Sequence, residues 1–206
     1  MPPISTISFQ TLRRWTVGVL VLFASLAVSS PGIAATGSVA AAAGREVNPP
    51  GDIPDDQAFV PYTPASGAFV VRVPEGWART ESGTGSGATT SFTDKLNTIR
   101  MSVRPVATAP TMASVIATEF PQIKQSDAKV TGGKASRLTR KAGPVIKLAY
   151  QRDGTANTVT GRAAREAVER YEFWRNGVAV TLSLSGPVGA DNVDPWKIVT
   201  DSFAWK

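Results

Sequence analysis

Four aliphatic residues near the C-terminus alternate with small or polar residues. The aliphatic positions are Val178, Val180, Leu182 and Leu184, and the positions between them are Ala179, Thr181 and Ser183. Because side chains two residues apart lie on the same face of a strand, this pattern predicts a β-strand with one buried face and one small, polar face. Asn176-Gly177, directly before the strand, indicates a tight hairpin turn. The fold is therefore expected to contain an antiparallel sheet that buries the aliphatic side of this strand.

Six other short segments are rich in residues that favour β-strands and are bounded by turn signals, which predicts further strands. They are residues 69–73, 89–93, 98–103, 135–140, 144–151 and 165–174. Polar residues 94–97 predict a hairpin between the second and third of these strands, and residues 82–88 and 153–161 predict loops.

Two segments have the spacing of helices. Apolar residues three and four apart predict one amphipathic helix, with Pro121 near its end. These apolar residues are Met112, Val115, Ile116, Phe120 and Ile123. Asp194 and Pro195 predict the start of a second helix, which the apolar spacing continues through Trp205. Runs of strands with one helix in the middle and one at the end predict an α+β fold, with a single antiparallel β-sheet and helices packed on it in an α/β/α sandwich-like arrangement.

Residues 1–35 have the order of a secretory signal. Arg13 and Arg14 supply positive charge, a mainly apolar run follows them, and small residues end the segment. We expect either cleavage after Ala35 or an uncleaved membrane anchor over residues 15–35. Both alternatives place the rest of the protein outside the cytoplasm, either secreted or anchored to a membrane.

The remainder divides by composition into a linker and one domain. Residues 36–56 are rich in Ala, Gly and Pro and show no apolar period, which predicts a flexible linker. Residues 57–206 are expected to form a single folded domain.

The composition excludes much chemistry, because the 206-residue chain contains no His and no Cys. This excludes Ser-His-Asp triads, imidazole bases, thiol nucleophiles, thiolate zinc sites and disulfides. Lys and Arg total 22 against 16 Asp and Glu, and loss of Arg13 and Arg14 with the signal lowers the formal net charge from +6 to +4. A positive excess outside the cell suits an acidic protein, anionic lipid or wall polymer, and a nucleic-acid partner is not expected.

Several fragments, in order, resemble PsbP-like domains, including exported actinobacterial proteins of the LpqN-like kind. The fragments are Phe59-Val60-Pro61-Tyr62, Phe69-Val70-Val71-Arg72-Val73-Pro74-Glu75-Gly76-Trp77, Tyr171-Glu172-Phe173, Asn176-Gly177 and Asp201-Ser202-Phe203. The resemblance implies an antiparallel sheet between helices and an extrinsic, non-enzymatic binding or assembly role at a membrane. Some photosynthetic members are associated with Ca and Mn, partly through His, which this chain lacks, so the resemblance implies no metal site here.

No motif assigns a catalytic, cofactor-binding or metal-binding residue. Gly83, Gly85 and Gly87 precede a strand-like segment rather than the helix that phosphate binding requires, so they predict a loop. Ser126 and Lys129 fit Ser-x-x-Lys, but the companion motifs are absent. The charges of alternating sign between residues 162 and 172 predict cross-strand pairs on an exposed face. We therefore expect no cofactor and no enzymatic activity.

Seven cations between residues 124 and 147 face Asp127 as the one acidic residue in that stretch. This basic sector consists of Lys124, Lys129, Lys134, Arg137, Arg140, Lys141 and Lys147. It predicts either a solvated surface or a binding surface for an anionic partner, namely an envelope protein, anionic lipid or wall polymer. The first function hypothesis is a non-enzymatic binding or accessory domain at the cell envelope. The alternatives are a carrier of lipid or another apolar molecule between sheet and helix, and a small hydrolase using carboxylate or Ser-Lys chemistry.

Overall fold

The computed structural model describes residues 49–127, 129–156 and 161–206, all within the compact unit Arg45–Lys206. The strands of this part are β1 (Phe59–Tyr62), β2 (Phe69–Pro74), β3 (Ala78–Ser82), β4 (Thr89–Thr93), β5 (Thr98–Pro105), β6 (Thr131–Arg140), β7 (Gly143–Ala156), β8 (Ala163–Arg175), β9 (Val178–Pro187) and β10 (Ala204–Trp205). The helical segments are α1 (Met112–Ser114), a π-helical turn (Val115–Glu119), α2 (Phe120–Ser126) and α3 (Val193–Ser202), and a 3-10 turn spans Gly85–Gly87.

The strands of the described residues form two sheets. One is antiparallel and seven-stranded, in the order β3-β4-β5-β9-β8-β7-β6, and the other has the order β1-β2-β10. The α+β class is confirmed, but the prediction of a single sheet is wrong. β1 and β2 pair apart from the large sheet, and β10 joins them because Phe203 leaves helical geometry with ψ 128°. The helix predicted through Trp205 therefore ends at Ser202.

The main core lies on one face of the seven-stranded sheet, against the small sheet and α3. The ring of Phe173 stacks on that of Phe203 with centroids 4.0 Å apart, and Phe203 stacks on Phe69 of β2 at 5.1 Å. We call this the core face of the sheet. The aliphatic residues of β9 at positions 180, 182 and 184 are all buried on it, as their alternation predicts.

The opposite face of the seven-stranded sheet, called the helix face, packs against α1, the π-helical turn and α2. Val115 is fully buried there against Ile146 and Leu148 of β7. Thr181 also points to this face, yet it is buried rather than solvated. The small, polar face predicted for β9 is thus partly covered by helix and by a cluster of charged side chains.

The amphipathic helix predicted in the middle of the chain forms, but its apolar stripe is interrupted. The Phe120 N–H bonds to the Val115 carbonyl, five residues back, which widens the turn. This wider turn precedes Pro121, whose ring cannot fit an ordinary helix interior. Since a π-helical turn contains an extra residue, the stripe rotates, and Met112 and Ile116 are 46% and 39% exposed. The prediction that these two residues pack on the sheet is wrong.

The predicted hairpins are confirmed, although several strand ends differ from expectation. Thr93 pairs with Thr98 across the β4–β5 turn. Asn176 and Gly177 have φ values of 49° and 81°, the left-handed geometry of a tight hairpin turn between β8 and β9. Strand β3 occupies residues that the sequence left outside any strand. β7 runs to Ala156, inside the predicted loop, of which residues 157–160 lie outside the described part.

Part of the segment expected to be linker packs against the domain. Ile53 is 4% exposed, and its N–H donates to Asn192 Oδ1 at 2.8 Å. The Gly51 carbonyl accepts hydrogen bonds from the side-chain amides of Asn192 and Asn97, both at 2.9 Å. The last residues of the predicted linker therefore belong with the folded part. The predicted signal and the start of the linker, residues 1–48, lie outside the described residues.

In the part of the chain that the structure describes, no helix is both long enough and apolar enough to cross a membrane. The predicted anchor over residues 15–35 falls outside that part and stays a prediction.

Candidate anion-binding surfaces

The basic sector lies along one edge of the seven-stranded sheet. Lys134, Arg137 and Arg140 belong to β6, which is the last strand of the sheet and pairs with β7 alone among the described strands. Lys141 is in the β6–β7 turn and Lys147 is in β7. Lys124 is in α2, and Lys129 lies just before β6.

Four members of the sector already have partners within the domain. Lys129 Nζ lies 2.8 Å from Asp153 Oδ2, and Lys147 Nζ lies 2.8 Å from Glu169 Oε1. Arg140 and Lys124 also have partners within the domain. Arg140 Nε donates to the Thr200 hydroxyl at 2.9 Å and lies 3.6 Å from Asp201 Oδ1, while Lys124 Nζ lies 5.9 Å from the centre of the Phe120 ring. Their charges are therefore less available to an external partner than the sequence suggests.

The other three members, Lys134, Arg137 and Lys141, are exposed and form no ion pair among the described residues. Lys134 is opposite Ala149 of β7, and Arg137 is opposite Ile146. Directly opposite residues share a face of the sheet and successive residues alternate faces, so Lys134 and Arg137 point to opposite faces. The free cations therefore lie along the edge of β6 and not on one plane.

Two of the paired sector residues line a cleft beside α3. Arg140 and Lys147 border this space of about 250 Å³ together with Glu169 and Tyr171. The Tyr171 hydroxyl donates to Glu169 Oε2 at 2.5 Å, and the Arg140 guanidinium lies 5.5 Å from the centre of the Tyr171 ring. Burial, followed by the hydrogen bond to Glu169, raises the pKa of Tyr171 above that of an ordinary tyrosine.

A charged cluster that the sequence did not reveal lies beneath the π-helical turn. Glu172 of β8, with its side chain 1% exposed, accepts hydrogen bonds from Arg104 Nη2 at 3.0 Å and Arg170 Nε at 2.7 Å. The same two arginines bind Glu119 of the π-helical turn at 3.0 Å each. Thr181 also donates to the Glu172 carboxylate at 3.0 Å. The cluster joins the helical segment to β5, β8 and β9.

The electrostatics of this cluster are governed by burial. Desolvation raises the pKa of Glu172 above the usual range of a glutamate, against the opposing attraction of Arg170 and Arg104. Within the described residues, Arg104 Nε is buried without a hydrogen-bond partner. With two carboxylates facing two guanidinium groups, the cluster is balanced in charge and contains no spare acid or base, so its geometry is that of a structural clamp.

The expectation of cross-strand pairing between residues 162 and 172 is correct for most of these charges. Glu166 pairs with Arg152 at 3.1 Å, and Arg165 pairs with Asp153 at 3.1 Å. The expectation of an exposed face is wrong for Glu172. Tyr171 and Phe173 are buried on the core face, so alternation places Glu172 on the helix face, and no pattern in the sequence indicates that this position is covered.

The structure does not assemble the Ser-Lys pair of the hydrolase alternative. The Ser126 hydroxyl donates to the Ile123 carbonyl at 2.8 Å, while Lys129 is held by Asp153. The hydrogen bond and charge of Asp153 raise the pKa of Lys129, which keeps the amine protonated and unable to accept a proton from Ser126. Within residues 49–127, 129–156 and 161–206, no three carboxylates gather closely enough to hold a metal ion.

An apolar cleft lies between the small sheet and the β3–β4 hairpin. Its volume is about 410 Å³, and its walls include Tyr62, Phe69, Met101 and Val103. The loop with Gly83 forms one border, so the glycine run contributes to a cleft and not to a phosphate site. The sequence placed an apolar pocket between sheet and helix, whereas this cleft lies between two sheets.

The architecture of the described residues defines an α+β domain in which a large antiparallel sheet packs against a small sheet and α3 on one face and against α1, the π-helical turn and α2 on the other. No family model matches the chain, and no curated protein matches its sequence. The solution structure of cyanobacterial PsbP (CyanoP) from Synechocystis sp. PCC 6803 matches with a TM-score of 0.53 and 15% identity, covering 73% of this chain and 94% of that chain. The domain therefore has a PsbP-like fold.

Two further solved structures are similar at lower scores. The Ran-binding protein Mog1p of Saccharomyces cerevisiae has a TM-score of 0.48 and 10% identity, covering 72% of this chain and 95% of that chain. LpqN, involved in cell envelope biogenesis of Mycobacterium tuberculosis, has a TM-score of 0.42 and 12% identity, covering 74% of this chain and 92% of that chain. The fold assignment rests on the PsbP match.

Proposed function

We propose that this protein is a non-catalytic binding domain, exported from the cytoplasm, whose basic edge strand β6 docks an extended acidic segment of an envelope protein. The location rests on the signal-like order of residues 1–35. The binding role rests on the three exposed cations of the β6 edge, Lys134, Arg137 and Lys141, which have no ion-pair partner in the described part of the chain.

The positions of these cations favour a protein strand over a membrane surface. A flat anionic surface attracts charges that lie on one plane, but Lys134 and Arg137 point to opposite faces of β6. An added β-strand presents its own side chains alternately to both faces and hydrogen-bonds to the open edge. Acidic residues on such a strand would meet cations on both sides.

The other edge of the sheet is a poorer docking site. β3 has five residues against ten in β6, and its Arg79 already lies 3.7 Å from Glu81. Lysines and a bulge on an edge strand also prevent self-association, and β6 has a bulge at Gly132/Lys134. A partner with the opposite charge overcomes this protection, whereas another copy of the same strand does not.

The experiment is a titration of the full-length protein with a fluorescent peptide of Glu-Glu-Val-Val repeats, which as a strand presents Glu on both faces, followed by anisotropy. A parallel arm uses phosphatidylglycerol vesicles. The variant K134E/R137E/K141E is compared with the control R79E/K95E/K206E, which changes the net charge equally at exposed sites outside β6 and the β6–β7 turn. We expect salt-sensitive peptide binding that the first variant loses and the control retains. Equal binding by both variants, or binding confined to vesicles, would overturn the proposal.

A carrier role is a second candidate, supported by the apolar cleft beside Tyr62. Its volume of about 410 Å³ falls within the roughly 300–1,000 Å³ of small-molecule sites. The buried Tyr62 and Thr90 hydroxyls, 3.0 Å apart, supply a polar end. Nile red, a neutral apolar dye, is expected to bind the protein and to be displaced by a fatty alcohol. V103Q is expected to weaken the binding of the dye and of the alcohol. No enhancement of dye fluorescence would exclude this role.

A further inference from the structure

The helix face of the seven-stranded sheet contains a groove that is distinct from the β6 edge and from the apolar cleft. Its volume is about 400 Å³, and Ile123 of α2 and Tyr150 of β7 line its wall. Its floor is formed by hydroxyl residues and arginines of β4, β5, β8 and β9. The floor includes Ser91, Arg100, Ser102, Arg170, Ser183 and Ser185.

Strand register arranges four of these side chains in one row. Ser91 of β4 pairs with Arg100 of β5, Arg100 pairs with Ser183 of β9, and Ser183 pairs with Arg170 of β8. Directly paired residues share a face, so all four point into the groove. Adjacent strands are separated by about 4.8 Å, which puts the Cα atoms of the two arginines roughly 10 Å apart with Ser183 between them.

The groove has an uncompensated positive charge. Arg100, Arg152 and Arg170 line it, and of the described residues that line it none is Asp or Glu. Arg170 is neutralised by the buried cluster, and Arg152 pairs with Glu166 at 3.1 Å. Arg100 is exposed and has no ion pair among the described residues. The positive charge is therefore concentrated at Arg100.

The floor also presents hydroxyl groups that are free to bind a ligand. Among the described residues, the hydroxyls of Ser91, Ser102 and Ser183 form no hydrogen bond with another side chain or with the backbone. Each hydroxyl both donates and accepts, which matches the hydroxyl groups of a sugar. Tyr150 adds an aromatic surface at the wall, and its own pKa is raised by burial.

We propose that this groove binds an acidic saccharide, with the carboxylate at Arg100 and the sugar hydroxyls at Ser91, Ser102 and Ser183. A guanidinium forms paired, charge-assisted hydrogen bonds with a carboxylate. An apolar ligand would leave the arginine and the serine hydroxyls unsatisfied. A bare anion would use Arg100 and leave the rest of the floor unused.

The test is isothermal titration of the full-length protein with tetragalacturonate, neutral maltotetraose and inorganic phosphate. Arg100→Gln is the test variant, and Arg79→Gln is the matched control because it changes an exposed strand arginine outside the groove. We expect tetragalacturonate to bind, maltotetraose to bind at least roughly tenfold more weakly, and R100Q to weaken tetragalacturonate roughly tenfold, the equivalent of one charge-assisted pair. R79Q is expected to bind like the unchanged protein.

A second variant and a map of the binding site distinguish the loss of ligand contacts from a loss of the folded structure. Ser183→Ala keeps the strand and is expected to weaken tetragalacturonate as well, and amide chemical shifts should change around Ser91 and Ser183. Equal binding of acidic and neutral sugars, equally strong binding of phosphate alone, or no binding would overturn the proposal. K134E/R137E/K141E should still bind tetragalacturonate, and loss of binding in that variant would move the site to β6 and also overturn the proposal.

Discussion

The guanidinium of Arg104 lies 3.0 Å from the carboxylate of Glu172, although the two residues are on strands separated by β9. Their contact lies beneath the π-helical turn, whose Glu119 binds Arg104 from above at 3.0 Å. A buried ion pair of this kind adds little stability over an apolar pair, but it is costly to break, because the remaining charge is left without compensation. The pair therefore fixes where the helical segment sits on the sheet.

Glu172→Ala is expected to destabilise the domain by about 3–5 kcal/mol, because it leaves Arg104 and Arg170 facing each other without their buried carboxylate. Urea unfolding followed by tryptophan fluorescence measures the change. Glu81→Ala, which removes the exposed pair with Arg79 at 3.7 Å, is the control and should change stability by less than about 0.5 kcal/mol. Similar losses in the two variants would contradict the clamp.

This cluster shows what the sequence predicts and what it does not. Alternation predicts which face of a strand is apolar, so the core positions of β9 were found directly. It does not predict which polar face another element covers, since that depends on where α1 and α2 pack. Glu172 was therefore assigned to an exposed face. The basic sector has the same limitation, because its ion pairs with Asp153, Glu169 and Asp201 come from distant parts of the sequence.

The stability of the domain is expected to fall above about pH 10, the ordinary pKa of tyrosine. The pKa of Tyr171 is raised in the folded state, first by burial and then by Glu169, so the folded protein holds this proton more tightly than the unfolded chain. The stabilisation is complete below the unfolded pKa and is lost as the pH rises through the folded pKa. Absorbance of tyrosinate against pH, together with urea unfolding at each pH, measures it.

Tyr171→Phe provides the comparison for this titration. The variant loses the 2.5 Å hydrogen bond to Glu169 and is expected to be about 1 kcal/mol less stable at neutral pH. It should then lose less stability than the unchanged protein above about pH 10. Tyr150→Phe is the control. Burial also raises the pKa of Tyr150, so the contribution of Tyr150 to the pH dependence of stability must be separated from that of Tyr171. Parallel pH curves for the unchanged protein and Y171F would refute the role of Tyr171.

Phe203→Ala is expected to cost about 3–5 kcal/mol, because Phe203 is fully buried and stacks on both Phe173 and Phe69. Thermal unfolding by calorimetry measures the loss. Ile198→Ala on the exposed side of α3 is the control and should change stability by less than about 0.5 kcal/mol. The sequence indicated that Phe203 is apolar and near the end of a helix. It did not indicate that the next two residues return as a strand, because a two-residue pairing leaves no periodic pattern.

Asn192 joins the N-terminal segment of the domain to the turn before α3, so its removal should release both. Its side chain accepts from the Ile53 N–H at 2.8 Å, donates to the Gly51 carbonyl at 2.9 Å and donates to Asn97 Oδ1 at 3.0 Å. Asn192 is 4% exposed, so Asn192→Ala leaves buried polar groups unpaired and is expected to cost about 2–4 kcal/mol.

Hydrogen exchange distinguishes this linkage from a general loss of stability. In Asn192→Ala, the amide of Ile53 should exchange much faster, whereas amides in the centre of β9 should change no more than the global stability does. Asp191→Ala is the control, since that residue contributes its backbone N–H to Asp52 and its side chain is exposed. If deletion of residues 1–53 left the unfolding free energy unchanged, the segment would add nothing to the fold. The boundary of the domain would then lie after Ile53, close to the start at residue 57 that the composition predicted.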